Sequence, residues 1–350
     1  MEYKTLGNTG LLVSRLCLGT MTMGPGTGIY EHIGNVGQTD ADQLIKSSFD
    51  AGINFFDTAD VYSAGESERT LGQAFKNLNI ARKDVVIATK VYSRMGPGRN
   101  DVGASRKHIM DGIEASLKNL QTDHIDLYQI HANDILTPTE EILRSLDDLV
   151  RSGKVRYIGC SNWQAWKIAK ALGISSSKNL ARFDSLQAYY SIAGRDLERE
   201  IIPLLEEEKM GLMVWSPLAG GLLSGKFSRE NQNPENSRRS GFDFPIVDKE
   251  RAWNILDVIA PIAKAHNCSP ARVALAWLLS KKVVTTIVIG AKRNEQLQDN
   301  LAAIDLQLSE AEIKQLDEVS TLPPEYPGWM IDTQGADRLG EVNLWEGRSS

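Results

Sequence analysis

A chain of 350 residues, 42% of them hydrophobic, has ample material for a large core, and its length fits either two ordinary domains or one α/β barrel. A formal net charge of −6, with basic residues spread among acids and the Arg238–Arg239 pair too short for a groove-binding patch, excludes nucleic acid as the main partner. Three widely spaced cysteines, Cys17, Cys160 and Cys268, argue for a reduced compartment without a disulfide framework or zinc site. No apolar signal core opens the chain and no apolar run of about 18 residues occurs, so no membrane partner and a cytoplasmic location are expected.

Residues 1–19 read as a small hairpin: strands over 3–6 and 12–18 flank the turn Gly7-Asn8-Thr9-Gly10. The second strand ends at Gly19 and Thr20, and a Gly-rich loop runs from Met21 to about Gln38. Thr39 or Asp40 is expected to cap a helix over 41–51, closed by Gly52. Helices over 66–77, 104–119, 139–151, 162–172 and 195–208 then alternate with strands near 53, 85, 125, 155, 185 and 212. A helix over 270–280, a strand over 285–289 and a helix over 294–303 end the series.

The strands are short, continuous apolar runs, as expected of a parallel sheet covered on both faces. Their spacing is that of βα units. With the 12–18 run as the first, there are eight, and no composition break divides them. The expected architecture is a single (β/α)8 TIM barrel spanning 1–350, its core about 12–303, with an N-terminal β-hairpin. A doubly wound sheet is disfavoured because no GxGxxG turn follows the first strand. A long loop after strand 7 (217–247) and an extra helix over 248–266 interrupt the repeat. A C-terminal helix and substrate loop occupy about 309–350, and the tail beyond Ser320, rich in Pro and Gly, reads as irregular.

Three of the apolar strands end in titratable groups. Residues 53–62 run Ile-Asn-Phe-Phe into a polar turn with Asp57, Thr58, Asp60 and Tyr62; Lys90 ends VVIATK and His131 ends IDLYQIH. A carboxylate at the end of an apolar run needs a cationic partner. In a barrel these strand ends share one mouth, which brings Asp57, Tyr62, Lys90 and His131 together. Taken singly, Asp57 and Lys90 fit a structural ion pair, His131 a core histidine and Tyr62 a packing residue; their joint placement carries the functional reading. A free tyrosine has a pKa of about 10, and a neighbouring ammonium lowers it toward the working range. The remaining histidines, His32, His108, His124 and His266, read as surface or loop residues.

Asp-Thr-Ala-x-x-Tyr, a strand ending Thr-Lys and a strand ending Gln-Ile-His resemble the catalytic tetrad of the aldo-keto reductases. The likeness extends to IGCSNW, LQAYYS, VWSPLAGGLLSGKF and VIGAKRNEQLQDN, nearly the whole chain. The resemblance implies a bacterial-type NADPH-dependent carbonyl reductase, with Tyr62 as general acid, Lys90 lowering its pKa, Asp57 holding Lys90 and His131 orienting the carbonyl. Bulky cyclic ketones, including keto forms of trichothecene toxins, are among the substrates it suggests.

For the cofactor, NADPH/NADP+, the resemblance implies contacts from Gly19, Thr20, Met21 and Asp57 at the first two strand ends. Ser161, Asn162 and Gln187 suit a nicotinamide carboxamide, and Trp215 offers its ring a flat face. Ser216, Leu218, Gly220 and Gly221 present backbone N–H groups to the pyrophosphate, with Lys226 and Arg238 as counter-charges. Gly290 opens the last βα turn, where Lys292 and Arg293 suit a 2′-phosphate and Gln296 and Asn300 face the adenine. Basic residues at a helix N-terminus are poorly placed for the helix itself, which points to an anionic ligand.

Met21, Tyr30, Tyr92 and Trp329 are the expected pocket walls for a small-molecule carbonyl substrate. Ile289 stands where many family members have Pro, and the 21–38 loop is longer than in many relatives. Two rivals remain: a redox-responsive regulatory subunit like the potassium-channel β subunits, and a metal-dependent barrel enzyme. The second requires carboxylates on several strands, whereas Asp57 and Asp60 share one, so no metal site is expected.

Overall fold

The computed structural model of the chain describes residues 1–26, 30–235 and 237–339. β1 (Tyr3–Thr5) pairs antiparallel with β2 (Leu12–Ser14). The single strand expected over 12–18 is in fact two. Arg15 separates β2 from β3 (Leu16–Gly19), the first barrel strand. Apolar residues on both sides of Ser14 and Arg15 make the two short runs read as one strand. In the fold Arg15 marks the corner, its guanidinium donating to the Leu279 carbonyl at 2.7 Å.

The chain continues through α1 (Tyr30–Ile33), α2 (Gln38–Asp50), β4 (Phe55–Asp57), α3 (Glu66–Asn77), β5 (Val86–Val91), α4 (Arg106–Leu120) and β6 (Ile125–Ile130). Next come α5 (Thr139–Arg151), β7 (Val155–Ser161), α6 (Ala165–Lys178), β8 (Phe183–Tyr189), α7 (Ile201–Glu207) and β9 (Gly211–Trp215). After a long loop follow α8 (Arg238–Gly241), α9 (Lys249–Ala265), α10 (Pro270–Ser280), β10 (Val284–Ile289), α11 (Asn294–Leu301), α12 (Glu310–Val319) and α13 (Gly328–Leu339). Strands β3 to β10 pair in parallel with their chain neighbours, and β10 closes on β3. This is the expected (β/α)8 barrel with its N-terminal hairpin. Among the described residues no helix is long and apolar enough to cross a membrane.

Two apolar clusters build the core. The larger lies between the strands and the surrounding helices, with Phe56, Trp163, Phe183 and Trp277 among its fully or almost fully buried members. The smaller fills the barrel interior and includes Cys17, Phe55, Ala88, Leu127 and Met213, completed by Leu6 and Val13 from the hairpin. The hairpin therefore closes the N-terminal end of the barrel. The apolar floor it completes leaves the opposite end for polar side chains.

Several boundaries differ from expectation for local reasons. Gly37, not Thr39 or Asp40, is the N-cap of α2. Helix α6 begins at Ala165 rather than 162, because Asn162 adopts a left-handed conformation (φ 59°) as the chain leaves β7. Helix α7 starts only at Ile201, after a separate 3₁₀ turn over Asp196–Glu198. The loop after β9 is structured by a 3₁₀ segment, Ala219–Ser224, and by α8. The tail expected to be irregular contains α13; Pro324, Pro327 and Gly328 obscure its periodicity, and its largest apolar side chains stay exposed.

Gly7 is where the hairpin meets the barrel. It sits at φ +59°, and a Cβ there would lie 2.4 Å from the Asp184 carbonyl and 2.7 Å from the Gly211 amide nitrogen. At Gly10, in the same turn, a Cβ would meet nothing within 4 Å. Gly7→Ala is expected to lower stability by about 1–3 kcal/mol, from strain and displaced backbone. Gly10→Ala is expected to stay within about 0.5 kcal/mol of the parent. Urea unfolding of the two variants checks this, and equal midpoints would show that the hairpin is not seated as described.

Candidate active site

Strands β4, β5, β6 and β8 carry polar side chains into the mouth of the barrel. The Lys90 ammonium is fully buried and Asp57 is only 2% exposed. Lys90 Nζ donates to Asp57 Oδ2 at 2.6 Å, to the Thr58 carbonyl at 2.7 Å and to Tyr62 Oη at 3.2 Å. All three ammonium hydrogens are thereby used. Asp57 Oδ1 accepts from Gln187 Nε2 at 2.8 Å and from Gln129 Nε2 at 3.3 Å. Tyr62 starts a tight turn, Tyr62–Gly65, in which Ser63 and Ala64 both have positive φ, and this turn directs the phenol back over the barrel. The His131 ring meets the Tyr62 ring edge-on, with centroids 5.7 Å apart.

Burial is the largest single influence on each of these groups, but not always the winning one. Desolvation alone would push the Lys90 pKa down, but Asp57 and Tyr62 more than offset it and the net direction is up. The ammonium stays charged. For Tyr62, burial outweighs the opposing Lys90 charge, so its pKa lies above that of a free phenol. This corrects the expectation that Lys90 brings it down outright: the lysine moderates a rise. Desolvation, reinforced by the Lys90 charge, holds the His131 pKa down at about 3, so the imidazole is neutral. Of the other histidines expected at the surface, His108 is instead buried in the first turn of α4, His124 and His266 are partly exposed, and the His32 side chain lies outside the described residues.

The remaining sequence candidates fall into three groups. Around the tetrad, Gly19 pairs with Asp57 in register, Thr20 is buried with its hydroxyl committed to Ser67 (2.7 Å) and the Asp57 carbonyl, and Met21 lies half-buried beyond. Asn162 Nδ2 donates to the His131 carbonyl at 3.1 Å and to Ser161 Oγ at 3.0 Å, while its Oδ1 accepts from Trp215 Nε1 at 3.0 Å. Tyr30 reaches the tetrad as well, its ring centroid 6.2 Å from that of Tyr62.

In the loop after β9, Ser216 Oγ accepts from the Gly220 amide at 2.9 Å, following Trp215 and preceding half-buried Leu218. Gly220 and Gly221 have positive φ, and a Cβ at Gly221 would meet nothing within 4 Å, so its backbone is open to approach. Arg238 is drawn into the site, close enough to Tyr62 and Lys292 to interact electrostatically with both. Lys226 is exposed. At the last βα turn Gly290 is equally open, Gln296 Oε1 accepts from the Lys292 amide at 2.9 Å and Asn300 donates to the Gly290 carbonyl at 3.4 Å. Exposed Arg293 is the N-cap of α11. Two proposed pocket walls are not brought to the tetrad by any contact of their rings: Tyr92 is half-buried at the end of β5, and Trp329 packs on Tyr326.

Sequence reasoning missed four contributors. Gln129, two residues before His131 and so on the same face of β6, supports Asp57. Tyr189 lies against Trp215 with centroids 5.3 Å apart. Phe244 stacks on Trp215 at 5.6 Å and 10° between planes, so the expected platform already carries an aromatic partner. Buried Arg239 ties the loop together through the Ala219 carbonyl (2.7 Å), the Pro245 carbonyl (3.1 Å) and Asp243. For Gln129 the two-residue alternation was a usable signal; the loop residues had none.

The model of the Aldo/keto reductase family matches residues 15–321. An uncharacterized oxidoreductase of Bacillus subtilis is 38% identical over 341 residues, covering 94% of this chain and 100% of the relative. The versiconal hemiacetal acetate reductase of Aspergillus parasiticus is 36% identical, covering 94% of this chain and 99% of the relative. A probable voltage-gated potassium channel subunit beta of Arabidopsis thaliana is also 36% identical, covering 87% and 92%.

The neutral His131 makes a pH prediction. In the unfolded chain its imidazole takes up a proton near pH 6.5, roughly the unperturbed value, but in the native chain only near 3. Below about pH 6.5 this group makes the unfolded state bind more protons, a contribution that lowers stability as pH falls. Between about pH 6.5 and 5 the raised pKa values of Asp60 and Asp184 act with the opposite sign, and His131→Gln is expected to make the slope of stability against pH less positive than in the parent. Unfolding free energies measured across that window check it, and an unchanged slope would show that His131 titrates normally.

Proposed function

This chain belongs to the aldo/keto reductase family, and we propose that it is an NADPH-dependent carbonyl reductase acting through Asp57, Tyr62, Lys90 and His131. The observation that carries the reading is the buried chain of hydrogen bonds from Asp57 through Lys90 to the Tyr62 hydroxyl. A structural ion pair has no need of a phenol as its third partner at the mouth of a barrel.

The residues present fit an anionic dinucleotide. Arg238 is a largely buried cation whose Nε has no hydrogen-bond partner among the described residues. Desolvation depresses its pKa, and that of Lys292 moves the same way with Arg238 adding to the effect. A group carrying phosphates there relieves both. Gly221 and Gly290 leave backbone open beside these cations. Arg238 and Lys292, with Arg293 at the start of α11, would hold the phosphates of NADPH; Asn162 and Gln187 would hold the nicotinamide end.

The reduced nicotinamide, when bound, supplies the hydride for the carbonyl carbon. His131, neutral, donates an N–H to the carbonyl oxygen and fixes its orientation. Tyr62 releases its proton to that oxygen as negative charge develops, and the Lys90 ammonium stabilises the resulting phenolate. Asp57 keeps Lys90 charged and in place, with Gln129 and Gln187 satisfying its other oxygen. Exposed Met95, Ile135, Leu136, Trp166 and Ile246 lie on loops or helix starts that follow barrel strands, and they favour bulky apolar aldehydes and ketones over small polar ones. Cyclic ketones, with keto forms of trichothecenes as one instance, belong to that class.

Two measurements test the reading. With NADPH and a panel of aldehydes, dicarbonyls and cyclic ketones, Tyr62→Phe is expected to lose at least about 100-fold in kcat while binding NADPH as the parent does. Full activity in the variant would remove Tyr62 as the acid. Tight NADPH binding with no turnover of any carbonyl by the parent would favour a regulatory role like that named for the channel-subunit relatives. Separately, Arg293→Ala is expected to weaken NADPH binding by about tenfold, equivalent to about 1.4 kcal/mol, with little effect on NADH. Equal losses for both cofactors would assign no 2′-phosphate contact to Arg293.

A further inference from the structure

Behind the tetrad lies a second buried acid that the proposed mechanism does not use. Asp60 is 3% exposed, and among the described residues neither of its carboxyl oxygens meets a side-chain donor. Its backbone N–H donates to the Lys90 carbonyl at 3.2 Å, which fixes it beside β5. The charged and titratable groups that face it are Glu68 from α3, Lys90 from β5, Tyr128 from β6, Tyr62 from its own turn and Tyr30 from α1. Lys90 is the one cation in that set, and its three hydrogens already go to Asp57, Thr58 and Tyr62.

Glu68 differs from Asp60 in its support. It is fully buried, but Thr89 Oγ1 donates to it at 2.6 Å and Asn119 Nδ2 at 3.0 Å. Asp57, Asp60 and Glu68 ionised together would set three buried carboxylates against one ammonium. Like charges in one desolvated region do not both ionise, and the proton goes to the acid with the fewest donors. We infer that Asp60 is a neutral carboxylic acid at physiological pH and acts as a positioning residue, keeping the Lys90 charge for Asp57 and Tyr62. Burial and the neighbouring Glu68 push its pKa well up, against weaker opposition from the Val61 amide and Lys90, in the same direction. Burial raises the Glu68 pKa as well, with the Thr89 and Asn119 hydrogen bonds opposing.

The consequence reaches the phenol. An ionised Asp60 would add a negative charge near Tyr62, raise its pKa further and weaken it as an acid; a neutral Asp60 does not. The inference rests on the reductase reading only for this consequence, since the protonation state itself is open to measurement without turnover.

Infrared difference spectra of the full-length protein, parent against Asp60→Asn, recorded near pH 7 and as the pH is lowered toward about 5, test it. Near pH 7 the parent is expected to show a carboxylic-acid C=O band that Asp60→Asn lacks. In Glu68→Gln the band should titrate at lower pH, because the neighbouring charge is gone. A parent spectrum without the band near pH 7 would overturn the inference. So would a band that survives Asp60→Asn and is absent from Glu68→Gln throughout that range, which would put the proton on Glu68. If Asp60→Asn does not fold, the Glu68→Gln series alone decides, by showing the band at lower pH or lacking it throughout. Failure of the reductase reading would appear as absent turnover and leave these spectra untouched.

Discussion

A lysine ammonium and an aspartate buried side by side in a barrel are each destabilised by several kcal/mol through lost hydration, and only close geometry and further hydrogen bonds offset that. The Asp57–Lys90 pair meets both conditions, and in doing so dictates its surroundings. Its contact is 2.6 Å. Asp57 draws the amides of Gln129 and Gln187, from β6 and β8, and Lys90 draws the Thr58 carbonyl and the Tyr62 hydroxyl. Four strands are thus held in register at their C-terminal ends by one ion pair. Removing either charge would leave the other uncompensated, so the pair specifies arrangement more than it adds stability.

The division of the barrel interior makes such a pair tolerable. Below it, Phe55, Ala88, Leu127 and Met213 meet Leu6 and Val13 of the hairpin in an apolar floor. That floor keeps water out and lowers the local dielectric, which strengthens the attraction between the charges and raises the penalty for any unpaired one. The same conditions act on Tyr62 in two directions. Desolvation holds its proton on, and Lys90 makes the proton easier to lose. A phenol so balanced stays neutral in the resting protein, as the acid proposed for carbonyl reduction requires.

The barrel was legible in the sequence because its strands are uninterrupted apolar runs at a regular spacing, and no tertiary contact is needed to see that. The tetrad was legible because ionisable residues end strands that are otherwise apolar. What escaped has common physical causes. The split at Arg15 and the cap at Gly37 depend on where the chain turns, and apolar patterning does not report that. Helix α13 buries too little apolar surface to leave a stripe in the sequence. The net rise in the Tyr62 pKa escaped because a sequence shows that a lysine is near but not how completely the phenol is desolvated. Glu68 falls inside a helix and Asp60 in a polar turn, and only packing between the strands and α3 reveals both as buried.

The loop after β9 shows the same limit most sharply, and it bears on how a cofactor enters. Its sequence reads as a long loop rich in Gly, Ser, Arg and Asn, yet it is held by backbone contact. A Cβ at Gly220 would lie 2.3 Å from the Phe244 carbonyl, so glycine is what lets the returning chain lie against the 3₁₀ segment. Arg239, buried, bonds carbonyls on both sides of that contact, and Phe244 is thereby laid over Trp215. These interactions also place Arg238 near Tyr62, with its Nε lacking a hydrogen-bond partner among the described residues. The loop therefore combines a satisfied half around Arg239 with a less fully bonded guanidinium one residue earlier. An anion bound at Arg238, as proposed for the cofactor phosphates, would strengthen the segment without disturbing the bonds of its neighbour.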